Sequence, residues 1–307
     1  MASASTAKTR IGEDVVLQFL RDRIDPAIAS VDPLTGGENA QAFAFRSGGL
    51  SWVIRVDRRD HGFRKDAYAA RRFGSTRLPI PGVRSIEPFS DQLFACISER
   101  AEGIHLGRLK RDAALAVMPR VLALFDALEE APLEDARFGP FDENGAGRFS
   151  SWREAMLAFE NSPDFPWAEW YRTTCLESDL CAELIGRLKR EVTCLPEQRR
   201  LVHGDIGMDN VLTDGDRLTA VLDWGQARYG DPVFDVAWLN LWWVQVPFAG
   251  IYAEQARRVG RDLGGLEGRL RWYTDWIGLT SLAFYARTGQ PASYRWLKDR
   301  LQSLAIR

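Results

Sequence analysis

The sequence predicts an α+β chain in two lobes, a small β-rich N-terminal lobe and a larger, mostly helical C-terminal one. Three observations carry that expectation. Up to about residue 98 the apolar residues fall in short alternating or β-branched runs around one crossing helix. After Ala101-Glu102-Gly103 they recur at helical spacing, and within 201–223 short strands interrupt the helices. The expected boundaries are 1–98 for the first lobe, 99–103 for a hinge and 104–307 for the second lobe.

Taken in order, GEDVVLQFLRDRI (12–24) sets Val15, Val16, Phe19 and Leu20 on one side of a helix. LTGGENAQAFAF (34–45) is a glycine turn entering an alternating strand, and Ser47-Gly48-Gly49 is a hairpin turn before the β-branched SWVIRV (51–56). DHGFRKDAYAARRFG (60–74) is a basic helix stopped by Gly74. Pro79, Pro81 and Pro88 punctuate a loop and short strand ahead of the strand LFACISE (93–99). Residues 111–130, 150–159, 178–192 and several segments beyond 231 have helical patterns, whereas Val211-Leu212 and Leu218–Leu222 have strand patterns. VAWLNLWWVQVPFAGIY (236–252) is too short for a membrane span and carries Asn240, Gln245 and Pro247, so it reads as a buried helix and a turn.

With 46% hydrophobic and 27% charged residues, the chain has an ordinary globular composition, and 307 residues suffice for two lobes. A net charge of −2 gives no general pull toward nucleic acid or membrane. Its distribution is uneven. Lys and Arg against Asp and Glu give +3 over residues 1–100 and −9 over 131–240, which suits an anionic ligand on the first segment and a cationic one on the second. Cys96, Cys175, Cys181 and Cys194 form no C-x-x-C pair, and MASASTAKTRIGED lacks the apolar run of a signal peptide. The expectation is a cytoplasmic monomer with reduced thiols.

HGDIGMDNVL (203–212) and LDWGQA (222–227) concentrate the chemistry. The order H-x-D-x-x-x-x-N, strand, turn (Asp214-Gly215-Asp216), strand, Asp is what phosphoryl transfer from a nucleotide requires. The first aspartate meets the acceptor hydroxyl, while the asparagine and later aspartate hold magnesium against the phosphates. Those residues are Asp205, Asn210 and Asp223. Carboxylate and amide oxygens suit Mg2+, which accepts one or two protein ligands. Each residue alone is a common turn former. Three together, framed by apolar strands and followed by G-D-P-x-x-D (230–235), make a site. His203 is expected to brace the loop by hydrogen bonding.

HGDIGMDNVL, AVLDWGQARYGDP and FDVAWL resemble the signature of the aminoglycoside phosphotransferase family, which has a bilobal protein-kinase-like fold. LTGGENAQAFAF, WVIRV, LPIP, ACISERAEG and FGPFDENGAGRFSSW extend the likeness toward its hygromycin B branch. The resemblance implies ATP or GTP as phosphoryl donor, Mg2+ as cofactor and a cationic aminocyclitol as acceptor. It implies that Arg55 grips phosphate where most of the family has lysine, with Asp66 as its partner. Gly36, Gly37, Glu38 and Asn39 would fold over the phosphates, and Glu99, Arg100 and Ala101 would present backbone groups to the base. Asp142, Asp209, Trp242, Trp243 and Asp275 are assigned to the acceptor side. The hygromycin B branch implies a stacking tryptophan at Trp242 and a second where Gln245 stands, and Trp243 is the candidate substitute. The alternatives are a kinase of another small alcohol, such as an amino alcohol or macrolide, and a non-catalytic kinase-like binding protein.

Overall fold

The computed structural model describes residues 11–34 and 40–305, which divide into two compact units. The first comprises the described residues up to 104 with Asp142–Gly145 and Val211–Gly225, and the second comprises the remainder. The division differs from the expected one. The strand pair ending at Val221 and the Asp223 turn join the first unit because Val221 N donates to Pro79 O (2.7 Å), Trp224 N to Asp66 (2.7 Å) and Lys65 Nζ to Gly225 O (2.8 Å).

The first unit is built on an antiparallel sheet of β1 (Val31–Leu34), β2 (Gln41–Ser47), β3 (Leu50–Asp57), β4 (Val83–Ser90) and β5 (Leu93–Glu99), in the order β1-β2-β3-β5-β4. Gly48 and Gly49 take φ of +60° and +78° to close the two-residue turn that pairs Ser47 with Leu50. Both positions of such a turn need positive φ, which glycine adopts without strain. Helix α1 (Glu13–Arg23) buries Val16 and Leu20 against Phe43, Phe45, Ile54, Val56 and Ile97. Strand alternation then turns Arg55 to the opposite face from Ile54 and Val56. There it meets helix α2 (His61–Phe73), whose Phe63, Ala67 and Phe73 are buried. Val211–Thr213 and Leu218–Val221 form an antiparallel pair whose turn is fixed by Asp214 Oδ1, which accepts from Asp216 N and Arg217 N.

The second unit packs helices Ser178–Glu191, Val233–Trp242 and Pro291–Ala305 on the long helix Leu266–Arg287, burying Trp152, Leu184, Phe234, Trp272, Tyr273, Ile277 and Leu282. The apolar run at 236–252 is interrupted. One helix ends at Trp242 and a second, Phe248–Arg258, begins just after Pro247. Among the described residues no helix is long and apolar enough to cross a membrane. Three very short strands, Gly139–Pro140, Arg228–Gly230 and Arg200–Val202, form an antiparallel sheet with Arg228 opposite Val202. This sheet launches the 203–210 loop.

Candidate active site

The Asp205 loop is held from beneath by a buried carboxylate. Asp235, 1% exposed, accepts from His203 N (2.7 Å) and Gly204 N (2.9 Å). Burial pushes its pKa up to about 7, although those two N–H groups and Arg228 favour its charge. Gly204 has φ +81°, and a Cβ there would run into Gln226 O and lie 2.9 Å from Arg228 Nε, so only glycine fits. His203 is fully buried, and its Nδ1 accepts a long hydrogen bond from Asp205 N (3.3 Å). Asn210 Nδ2 donates to Asp205 O at 2.8 Å. That bond orients the amide and turns its Oδ1 away from the carbonyl.

In the first unit, Asp66 connects two candidate positions, Arg55 and the turn that carries Asp223. Its Oδ2 accepts from an Arg55 guanidinium N–H at 2.6 Å, and its Oδ1 accepts from Trp224 N at 2.7 Å. Burial raises the Asp66 pKa, Arg55 and the Trp224 N–H oppose the shift, and Asp223 adds to it. The Arg55 guanidinium also lies over the Phe63 ring, 5.1 Å from its centre. Asp223 itself is exposed, and among the described residues it is the one non-glycine with positive φ (+60°). A side chain in this region costs about 1 kcal/mol, least for Asp and Asn. The strain points the carboxylate outward while Trp224 stays buried.

A model of the phosphotransferase enzyme family matches residues 30–273. The chain belongs to that family. It is 35% identical over 292 residues to hygromycin-B 4-O-kinase of Escherichia coli, covering 94% of this chain and 84% of that protein. A crystal structure of a thermostable mutant of aminoglycoside phosphotransferase APH(4)-Ia, in ternary complex with AMP-PNP and hygromycin B, superposes with a TM-score of 0.83 at 33% identity, covering 94% of this chain and 97% of that one. The GDP complex of aminoglycoside 2'-phosphotransferase-IIIa superposes at 0.70 with 16% identity, covering 95% and 98%, and that likeness speaks to the fold alone.

The structure of this phosphotransferase changes several assignments. Trp243 is fully buried, so its ring has no face for a ligand; it is a core residue. Asp275 takes both Arg187 Nε (2.6 Å) and a terminal N–H (2.9 Å), which ties two helices together and leaves no free carboxylate for a substrate amine. Glu99 N and Arg100 N already donate to Gly82 O (2.9 Å) and Ser51 O (3.1 Å), so neither is a donor for a base. Trp242 is half-buried, stacked on Trp296 at 5.6 Å and edge-on to Tyr285 at 6.4 Å. Asp142 spends Oδ1 on Asn144 N (2.9 Å) in its own turn, and Asp209 is exposed on the loop. Gly36, Gly37, Glu38 and Asn39 lie outside the described residues.

Residues that motif spacing did not single out complete the support. Asp231 accepts from Arg269 and from the Tyr273 hydroxyl (2.8 Å), while Trp152 Nε1 donates to that same hydroxyl at 2.7 Å. Asp231 also accepts from Val233 N (3.1 Å), at the start of helix 233–242. Their signal lay in G-D-P-x-x-D, whose aspartates are buried rather than solvent-facing. Taken singly, Asn210 and Asp223 each bring an oxygen of the kind a hard cation accepts: the amide oxygen of Asn210 is turned away from the Asp205 carbonyl, and Asp223 Oδ1 lies 3.4 Å from Gly225 N. Among the described residues no cluster of three His, Cys, Asp or Glu could hold a metal, and magnesium needs none, since phosphates and waters fill most of its sphere.

Proposed function

We propose that this protein is a magnesium-dependent aminoglycoside O-phosphotransferase that moves the γ-phosphate of ATP to a hydroxyl of hygromycin B in the cytoplasm, giving resistance to the antibiotic. The observation that carries this reading is the Asp205 loop, fixed at both of its preceding N–H groups by buried Asp235, in a chain similar over 94% of its length to hygromycin-B 4-O-kinase. Asp205 orients the acceptor hydroxyl and takes its proton late, because little proton transfer precedes a loose transition state. Asn210 and Asp223 supply oxygen ligands for magnesium, which neutralises charge on the phosphates when bound. Arg55, aligned by Asp66, grips phosphate oxygens. The Ala101 N–H reads the base, and Asp142, Asp209 and Trp242 face the cationic acceptor.

The test is ADP release by the purified chain with ATP, magnesium and a panel of hygromycin B, kanamycin, streptomycin, an amino alcohol and a macrolide. Hygromycin B should give the highest kcat/KM and a phosphorylated product. Preference for another aminoglycoside would overturn the acceptor and keep the family chemistry. Turnover of the amino alcohol or macrolide alone would replace the substrate class, and nucleotide binding without turnover of any acceptor would leave a binding protein.

A further inference from the structure

Arg228 is a cation that phosphoryl transfer has not yet been asked to use. It sits in the strand Arg228–Gly230 directly opposite Val202, the residue that leads into His203–Asp205. The residue is 5% exposed, and its guanidinium lies 4.8 Å from the Phe234 ring centre and 5.5 Å from that of Trp276. Its Nε donates to Gln226 O at 3.1 Å and is the atom a Gly204 side chain would meet. So the guanidinium lies under the backbone of the residue before Asp205, clamped by two rings. Its charge is expensive there. Burial pushes its pKa down to about 10, and the carboxylates that favour the charge are Asp235 and Asp205. Among the described residues no carboxylate makes a close ion pair with it, in contrast to the buried Arg269, which is bound directly by Asp231. A buried cation facing two carboxylates at longer range acts as a fixed field rather than as a tie.

We propose that Arg228 is a positioning residue for phosphoryl transfer: wedged beneath Gly204, it sets the height of the Asp205 loop and supplies the fixed positive charge that aims the Asp205 carboxylate at the acceptor hydroxyl. This rests on Asp205 being the residue that meets the acceptor. Arg228 touches neither nucleotide nor acceptor in this role, so its removal should act on kcat and leave both KM values nearly unchanged.

The test is a double-mutant cycle on the full-length enzyme with ATP, magnesium and the best acceptor found above, following kcat and both KM values. Arg228→Gln keeps a planar group and a donor for Gln226 O but removes the charge. It should lower kcat about 10- to 100-fold with each KM within about threefold, and Arg228→Lys should lose less, about 3- to 10-fold. In an Asp205→Asn background either substitution should cost less than about threefold, because the group that Arg228 aims is gone. Should Arg228→Gln fail to fold, Arg228→Lys is read in the same two backgrounds. Native kcat in the variant that folds, or an equal loss with and without Asp205, would overturn the proposal. Loss of activity only with Asp205 present would support it. If the native enzyme transfers phosphate but Asp205→Asn is fully active, the assignment of Asp205 fails first, and that outcome is distinct from additivity between the two sites.

Discussion

Asp205 and Asp223 are held by opposite means. Asp205 rides on a loop whose backbone is anchored to buried charge, with Asp235 at its N–H groups and Arg228 beneath Gly204. Asp223 is exposed on a turn whose own backbone is strained at φ +60°, steadied by hydrogen bonds from Trp224 N to Asp66 and from Lys65 Nζ to Gly225 O. The first arrangement stores its precision in the core, so it is lost when distant buried residues change. The second stores it in a local conformation, so the side chain can be replaced with little structural effect. That difference separates what mutations do to activity from what they do to stability.

The largest effect should come from Asp223. On the proposed roles, Asp223→Gly would remove a magnesium ligand and should cut turnover by at least about 10³-fold at saturating magnesium. Because glycine relieves the positive φ, the thermal midpoint should stay level or rise. Lost activity accompanied by a clear fall in midpoint would mean that the turn is not locally strained, and the comparison would break. Next, Asp205→Asn should lower kcat by about 10²–10⁴-fold with nucleotide affinity unchanged, as expected for losing a positioned acid-base group. A defect confined to ATP binding would move Asp205 away from the acceptor.

The smallest effect sharpens the comparison through pH. The folded pKa of Asp235, pushed up to about 7, lies above the 3.8 of an ordinary aspartate, so the fold binds this proton more tightly than the unfolded chain does. Its stabilising contribution is complete below pH 3.8 and is lost as pH rises toward 7. Between pH 5 and 7.5 the native protein should therefore lose about 2 kcal/mol relative to Asp235→Asn, as read by urea unfolding of both. An unchanging difference between the two proteins would show that the carboxylate is as comfortable charged in the fold as in water.

The contrast also explains what the sequence could reveal. Asp205, Asn210 and Asp223, the residues of the proposed chemistry, stood out because oxygen-bearing residue types at fixed spacing between apolar strands are scarce outside one chemistry. Asp66 followed from its place on the helix after β3, and the structure pairs it with Arg55. Arg228 was silent because a charged residue in a strand reads as surface until burial is known, and Asp235 was marked by G-D-P-x-x-D without any sign that it is buried beneath the loop. Asp275 was misplaced because its partner Arg187, far away in sequence, is visible only in the fold, and Trp243 for a reason of its own. Helix 233–242 is apolar nearly all round, with seven buried residues from Val233 to Leu241, so periodicity alone cannot say which face is open. The strands at 139–140, 200–202 and 228–230 were too short to leave a pattern, and the division of the chain was misjudged because hydrogen bonds from α2 and Pro79, not sequence proximity, gather residues 211–225 into the first unit.

The two hydrogen bonds of Asp66 make helix α2 a common mount. One carboxylate fixes the Arg55 fork with one oxygen and the Trp224 N–H, next to Asp223, with the other. A ligand that draws on Arg55 therefore also bears on the turn that carries Asp223, and whatever occupies Asp223 bears equally on Arg55. Thermodynamic reciprocity makes the two influences the same size. Nucleotide and metal would thus report on each other through a single side chain, and Asp66→Asn would uncouple them without removing either contact residue.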